Sequence, residues 1–168
     1  MGRLALKDIF LRPSKKKEMR SKQRESVSDR SILIIDDSRT VVHALKTILE
    51  QAGYSTIAAS DGKRGIELAL EYQPDLILMD IVMPGINGFK ATRLLRKDSR
   101  TEDIPIIIMS GNEQATEKFW GMRLGANEFL SKPVQRGLLF KMLSEFIVTS
   151  KPISKTSTAT KEYDLLYD

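Results

Sequence analysis

The stretch PDLILMDIVMPGING, Pro74 to Gly88, decides the architecture. Four apolar residues, Leu76-Ile77-Leu78-Met79, run straight into a carboxylate, Asp80, and a Pro84-Gly85 turn follows. A short apolar run bounded by turn signals suits a strand buried on both faces of a sheet. No basic residue stands beside Asp80 in sequence. Whatever balances its charge must therefore come from elsewhere in the fold.

The same pattern recurs on either side. Ile32-Leu33-Ile34-Ile35 is a continuous aliphatic run rich in β-branched residues, and Tyr54–Ala58, Ile106–Met109 and Glu128–Leu130 read as further strands. Between them apolar residues return at helical spacing. The first stripe is Val41, Leu45, Ile48 and Ala52, with Val42 and Leu49 alongside; the second is Gly65, Ile66, Ala69 and Leu70. Phe89, Leu94 and Leu95 mark the third helix, and Phe119, Trp120 and Met122 the fourth. Leu138, Leu139, Met142, Leu143 and Phe146 mark the fifth. Ser38 and Asp61 stand where N-caps belong, and Gly53 where a helix stops. Strands alternating with helices predict an α/β domain with a doubly wound, five-stranded parallel sheet and helices on both faces. The order 2-1-3-4-5 is one of two common for such sheets, and periodicity alone does not choose between them.

With 168 residues, 41% of them hydrophobic, the chain has material for one domain and more. It has no cysteine, which excludes disulfides and thiolate-bound metals. No apolar run reaches the roughly 18 residues of a membrane helix. The start MGRLALKDIF lacks a signal-peptide core, and Leu6 stands where a myristoylation signal has Ser or Thr. The expected compartment is the cytoplasm. The net charge of +5 is concentrated: residues 1–30 hold ten basic and four acidic side chains, and the remainder holds 17 and 18. Residues 1–30 read as a basic flexible leader, 31–148 as the domain, and 149–168 as a Ser/Thr/Lys-rich flexible tail.

In an open parallel sheet, ligands bind beyond the carboxyl ends of the strands. Those ends carry Asp36 and Asp37 after the first strand and Asp80 on the third. Ser110 closes the fourth, and Lys132 follows the fifth. Taken singly, each acid is about as often a helix cap as a functional group. Together they place three carboxylates, a hydroxyl and an ammonium on one rim. Mutual repulsion raises carboxylate pKa values unless a cation intervenes. An all-oxygen donor set with open positions suits Mg²⁺, or Mn²⁺. A carboxylate beside such an ion, with an ammonium opposite, is placed to attack a phosphoryl group. Asp80 thus reads as a phosphate acceptor.

The segments IIDDS, DLILMDIVMPGINGF, IPIIIMSG and FLSKP closely resemble the receiver domains of two-component response regulators, the CheY-like family. The resemblance spans residues 31–148 and implies the flavodoxin-like order 2-1-3-4-5. It implies phosphorylation of Asp80 by a histidine kinase or a phosphotransfer protein. Metal ligation would come from Asp37, Asp80 and the Val82 carbonyl, with Asp36 acting through water. Lys132 would contact the phosphoryl group, and the Lys132–Pro133 bond would be cis. Ser110 would turn toward the phosphate and draw in Phe129, the switch aromatic. Serine at 110 replaces the commoner threonine, and Phe129 lacks the hydroxyl of the frequent tyrosine. DIVMPGINGFKATRLLRKD and TEKFWGMRLGANEFLSKPV are similar to stand-alone regulators of type IV pilus twitching motility, in a chemotaxis-like pathway. The residues after 148 are too few and too polar for a DNA-binding domain, so output is expected through a protein partner. The family's usual face for that partner is the fourth helix, fifth strand and fifth helix.

Competing classes fare less well. A haloacid-dehalogenase-type phosphatase needs a second acid two residues beyond its nucleophile, where Val82 stands. A dinucleotide site needs a glycine-rich turn after Ile35, where Asp36-Asp37 stand. A phosphate-independent adaptor is the remaining alternative, its basic leader binding anionic membrane or nucleic acid. That run, including Lys15-Lys16-Lys17, contains no aromatic for base stacking, and a solvated tether is the commoner role. His43 reads as a surface helical residue and Trp120 as helix packing. The chain is expected to be a signalling protein, with no enzyme activity beyond phosphoryl transfer to Asp80 and its own dephosphorylation.

Overall fold

The computed structural model describes residues 30–111 and 122–149. The described residues form five strands and four helices, in the order β1 Ser31–Ile35, α1 Arg39–Gln51, β2 Ser55–Ala59, α2 Gly62–Tyr72, β3 Leu76–Asp80, α3 Gly88–Leu95, β4 Ile106–Ser110, β5 Glu128–Ser131 and α4 Arg136–Thr149. The helix expected around Phe119 and Trp120, the leader up to residue 29 and the tail from residue 150 lie outside the described residues.

All four strand pairs are parallel, and the sheet order is β2-β1-β3-β4-β5. The strand apolar runs alternate between two cores, as a two-residue side-chain period requires. Leu33, Ile35, Ile77, Met79, Ile106 and Ile108 pack under α2 and α3. Ile32, Ile34, Leu76, Leu78, Ile107 and Met109 pack under α1 and α4. Helices therefore cover both faces, and β1, β3 and β4 are buried along almost their whole length. Each such side chain contributes about 1.5–3 kcal/mol by leaving water. A frame of this kind holds whatever side chains project from its strand ends.

Helix starts follow local chemistry. Ser38 Oγ accepts from the Val41 amide, Asp61 Oδ1 from Arg64, and Asn87 Oδ1 from Lys90. These are N-caps that satisfy otherwise unpaired first-turn amides. Gly53, at φ +97°, turns the chain after α1. The Tyr54 amide is taken up by the Leu49 carbonyl, so β2 starts at Ser55, one residue later than its apolar pattern suggests.

At the far rim, Arg30 pairs with Asp75 at 2.7 Å, and the Ser31 amide donates to the same carboxylate, tying the starts of β1 and β3 together. Among the described residues, no helix is long and apolar enough to cross a membrane.

Candidate functional site

The site lies where the order of strands reverses. β1 has β2 on one side and β3 on the other, so the loops after β1 and β3 diverge and leave a crevice at the carboxyl ends. Asp36 follows β1 directly, and Asp80 is the last residue of β3. Carboxylate oxygens of Asp36, Asp37 and Asp80 all lie within 4.8 Å of one another. Asp36 and Asp80 are buried, and Asp37 is exposed at the mouth.

Lys132, just past β5, crosses the crevice between them. Its Nζ lies 2.7 Å from Asp36 Oδ2 and 2.7 Å from Asp80 Oδ1. The contact to Asp80 has hydrogen-bond geometry. The contact to Asp36 Oδ2 is an ion pair of the same length. Its other oxygen, Oδ1, accepts the Ser38 amide at 2.9 Å. The Lys132–Pro133 peptide bond is cis. The Lys132 amide donates to the Ser110 carbonyl at 2.7 Å, which brings the end of β4 beside the lysine's own backbone.

Electrostatics follow from this packing. Burial pushes the Asp80 carboxyl above its usual range. Lys132 opposes that shift, while the neighbouring Asp36 and Asp37 charges add to it. For Lys132, burial works against the charged form, but the Asp36 and Asp80 carboxylates outweigh it and hold the ammonium above its ordinary pKa. One ammonium thus holds two buried acids in place.

The structure brings Asp36, Asp37, Asp80 and Lys132 into one cluster. Ser110 is buried at the end of β4, on the strand next to Asp80. Val82 lies on the loop after β3 and is 73% exposed. Phe129, on β5, is half-buried against the core under α2 and α3. His43 is exposed on α1.

A hard divalent cation suits these donors: all are oxygens, and one carboxylate oxygen from each of Asp36, Asp37 and Asp80 falls within 4.8 Å of the others. Two glycines carry a constraint that the reading of motifs did not assign. Gly62 and Gly88 lie where backbone passes too close for a side chain. The sole sequence signal is a glycine in each helix's first turn, directly after a capping residue.

Residues 32–144 match the family described as response regulator receiver domain. Protein PilH of Pseudomonas aeruginosa is 48% identical over 113 residues, covering 67% of this chain and 93% of that protein. The DNA-binding dual master transcriptional regulator RpaA of Synechocystis is 41% identical over 102 residues, and only 42% of its length is covered. Among solved structures, the chemotaxis protein CheY4 of Vibrio cholerae superposes with a TM-score of 0.66 at 28% identity, covering 70% of this chain and 98% of that one. The receiver domain of the Pseudomonas aeruginosa sensor histidine kinase PA1611, solved with magnesium coordinated in its active-site cleft, gives 0.68 at 28% identity over 71% and 98%.

Proposed function

The chain belongs to the response regulator receiver family, and from that premise we propose that it is a phosphorylation switch whose acceptor is Asp80. The observation that carries this reading is the Lys132 ammonium 2.7 Å from both Asp36 and Asp80, with Asp37 completing the acidic cluster. A buried carboxylate paired with one ammonium is a nucleophile kept oriented.

The carboxylates of Asp36, Asp37 and Asp80 and the Val82 carbonyl would hold Mg²⁺, or Mn²⁺ in its place. When bound, the ion supplies positive charge to the oxygens of a transferring phosphoryl group. Asp80 attacks the phosphorus of a phosphohistidine on a kinase or phosphotransfer protein. A bond forms between a carboxylate oxygen and phosphorus, the phosphorus–nitrogen bond breaks, and the imidazole keeps the electron pair and takes up a proton. Lys132 turns its ammonium onto the incoming phosphoryl oxygens, which replace the carboxylate charge it neutralises at rest. Ser110 donates its hydroxyl to another phosphoryl oxygen, and Phe129 follows into the space this vacates.

The domain is residues 31–148, with the leader and the tail as flanks. Output runs to a protein partner through β5, α4 and the segment before β5. Similarity to PilH supports a pilus-related role, and the pathway we infer for it is a chemotaxis-like one in the cytoplasm.

The test is intact-mass measurement after incubation with Mg²⁺ and acetyl phosphate. One phosphoryl adduct is expected, absent from Asp80→Asn and from an EDTA control. Failure of the chain both to take an adduct and to bind beryllofluoride would reject the switch.

A further inference from the structure

Two glycines flank the loop between β3 and α3, and the space they leave differs in kind from that around Gly85 within the loop. Gly85 has φ +74° and nothing within 4 Å of a would-be Cβ, so its backbone conformation requires glycine. Gly62 has no such conformational demand. A Cβ there would fall 2.2 Å from the Ile86 carbonyl oxygen and 3.1 Å from the Ile86 Cβ. Gly88 is equally confined: its Cβ would lie 2.1 Å from the Asp80 carbonyl oxygen. Both distances are far inside van der Waals contact with backbone, which does not yield as a flexible side chain does.

Gly88 closes the loop from behind, its amide donating to the Ile81 carbonyl at 3.0 Å. Gly62 meets the far arm of the loop at Ile86, whose half-buried side chain packs into the core under α2 and α3. Val82 lies between these two points of support. We propose that Gly62, on an element that contributes no donor to the acidic cluster, is a positioning residue for the metal, holding the β3–α3 loop so that the Val82 carbonyl faces Asp80. The proposal rests on the reading of the cluster as a divalent-cation site.

The experiment is calorimetric titration of the full chain with Mg²⁺, without any phosphodonor, beside thermal unfolding in EDTA. Gly62→Ala is expected to weaken Mg²⁺ binding by about 10- to 100-fold, the range for losing support behind a metal ligand. Leu49→Ala serves as the comparison. It opens a cavity at the far rim, where Leu49 meets Tyr54, and should lower Tm while leaving the Mg²⁺ Kd unchanged. A Gly62→Ala Kd within about twofold of wild type, whatever its Tm, overturns the proposal. If that variant does not fold, Ile86→Ala decides, since it keeps the backbone against Gly62 but removes the side chain that anchors the same arm of the loop in the core, without a clash. Weaker Mg²⁺ binding supports the role of Gly62, and unchanged binding overturns it. A wild-type chain that binds no Mg²⁺ overturns both the proposal and the site reading beneath it.

Discussion

Lys132 Nζ lies 2.7 Å from Asp80 Oδ1, although 52 residues of chain separate the two. This is the partner that the apolar surroundings of Asp80 in sequence left unnamed. The ammonium also sits on Asp36, so removing it strands two buried carboxylates at once. Breaking a buried pair from one side costs about 3–5 kcal/mol, and the partial exposure of Lys132 brings the expected loss for Lys132→Ala to about 2–3 kcal/mol. Urea unfolding in EDTA measures it. Mg²⁺ should restore part of the loss by supplying the missing charge, while phosphoryl uptake from acetyl phosphate should stay absent.

Asp80 makes stability depend on pH in a defined direction. Its carboxyl pKa is raised in the fold, chiefly by burial, so the folded state holds the proton more tightly than the unfolded chain does. That contribution is fully present below the unfolded value of about 3.9 and is lost as pH rises through the raised one. Ionised Asp80 is therefore a net cost at pH 7. Asp80→Asn should melt higher than wild type at pH 7 in EDTA, with the gap closing as pH falls toward 4. Mg²⁺ should shift this balance toward wild type: at ten times its Kd, a ligand bound only by the folded state adds about 1.4 kcal/mol. Melting curves across pH, with and without Mg²⁺, carry the whole test. A gap that widens on acidification would contradict the assigned sign.

Asp36→Asn separates charge from shape. An amide oxygen can still accept the Ser38 amide, so the start of α1 should survive. The charge facing Lys132 disappears, and with it an anionic donor of the cluster. Mg²⁺ affinity should fall by about tenfold or more, with Tm in EDTA little changed or raised. An unchanged Mg²⁺ Kd would remove Asp36 from the cation site.

The sheet was legible because its strands are buried on both faces, and Ile32–Ile35, Leu76–Met79 and Ile106–Met109 leave no polar break in their runs. The acids and Lys132 were legible because a parallel sheet sends all its carboxyl ends to one rim. Strand order was legible through the family resemblance, since local periodicity does not encode which faces cover each other. Two other features were not legible. The double pairing of Lys132 depends on side-chain reach across the crevice. The constraints at Gly62 and Gly88 come from backbone that approaches from Ile86 and Asp80, and a glycine in the sequence does not announce what it stands against.

Arg96 is another such feature, since its partners are scattered through later sequence. As the C-cap of α3 it donates from Nε to the Gly125 carbonyl at 2.7 Å. One terminal nitrogen reaches the carbonyls of Thr101 and Ile104, and the other reaches Asn127 Oδ1 at 2.8 Å. The same Asn127 oxygen accepts the Ile106 amide, so the network joins α3 to the starts of β4 and β5. Burial lowers the guanidinium pKa, against the opposing pull of Asp103, yet an arginine stays charged. Hydrogen bonds to a charged group contribute about 1.5–3 kcal/mol each and are not additive, so Arg96→Ala should cost about 3 kcal/mol. Arg96→Lys should recover less than half, because an ammonium is a point charge and does not reproduce the planar fork. Amide exchange at Ile106 and Asn127 should quicken in both variants. Mg²⁺ affinity should hold, because this network ties the opposite rim of the sheet. A variant that lost Mg²⁺ binding while keeping its Tm would instead make Arg96 part of the path between the acidic cluster and β5.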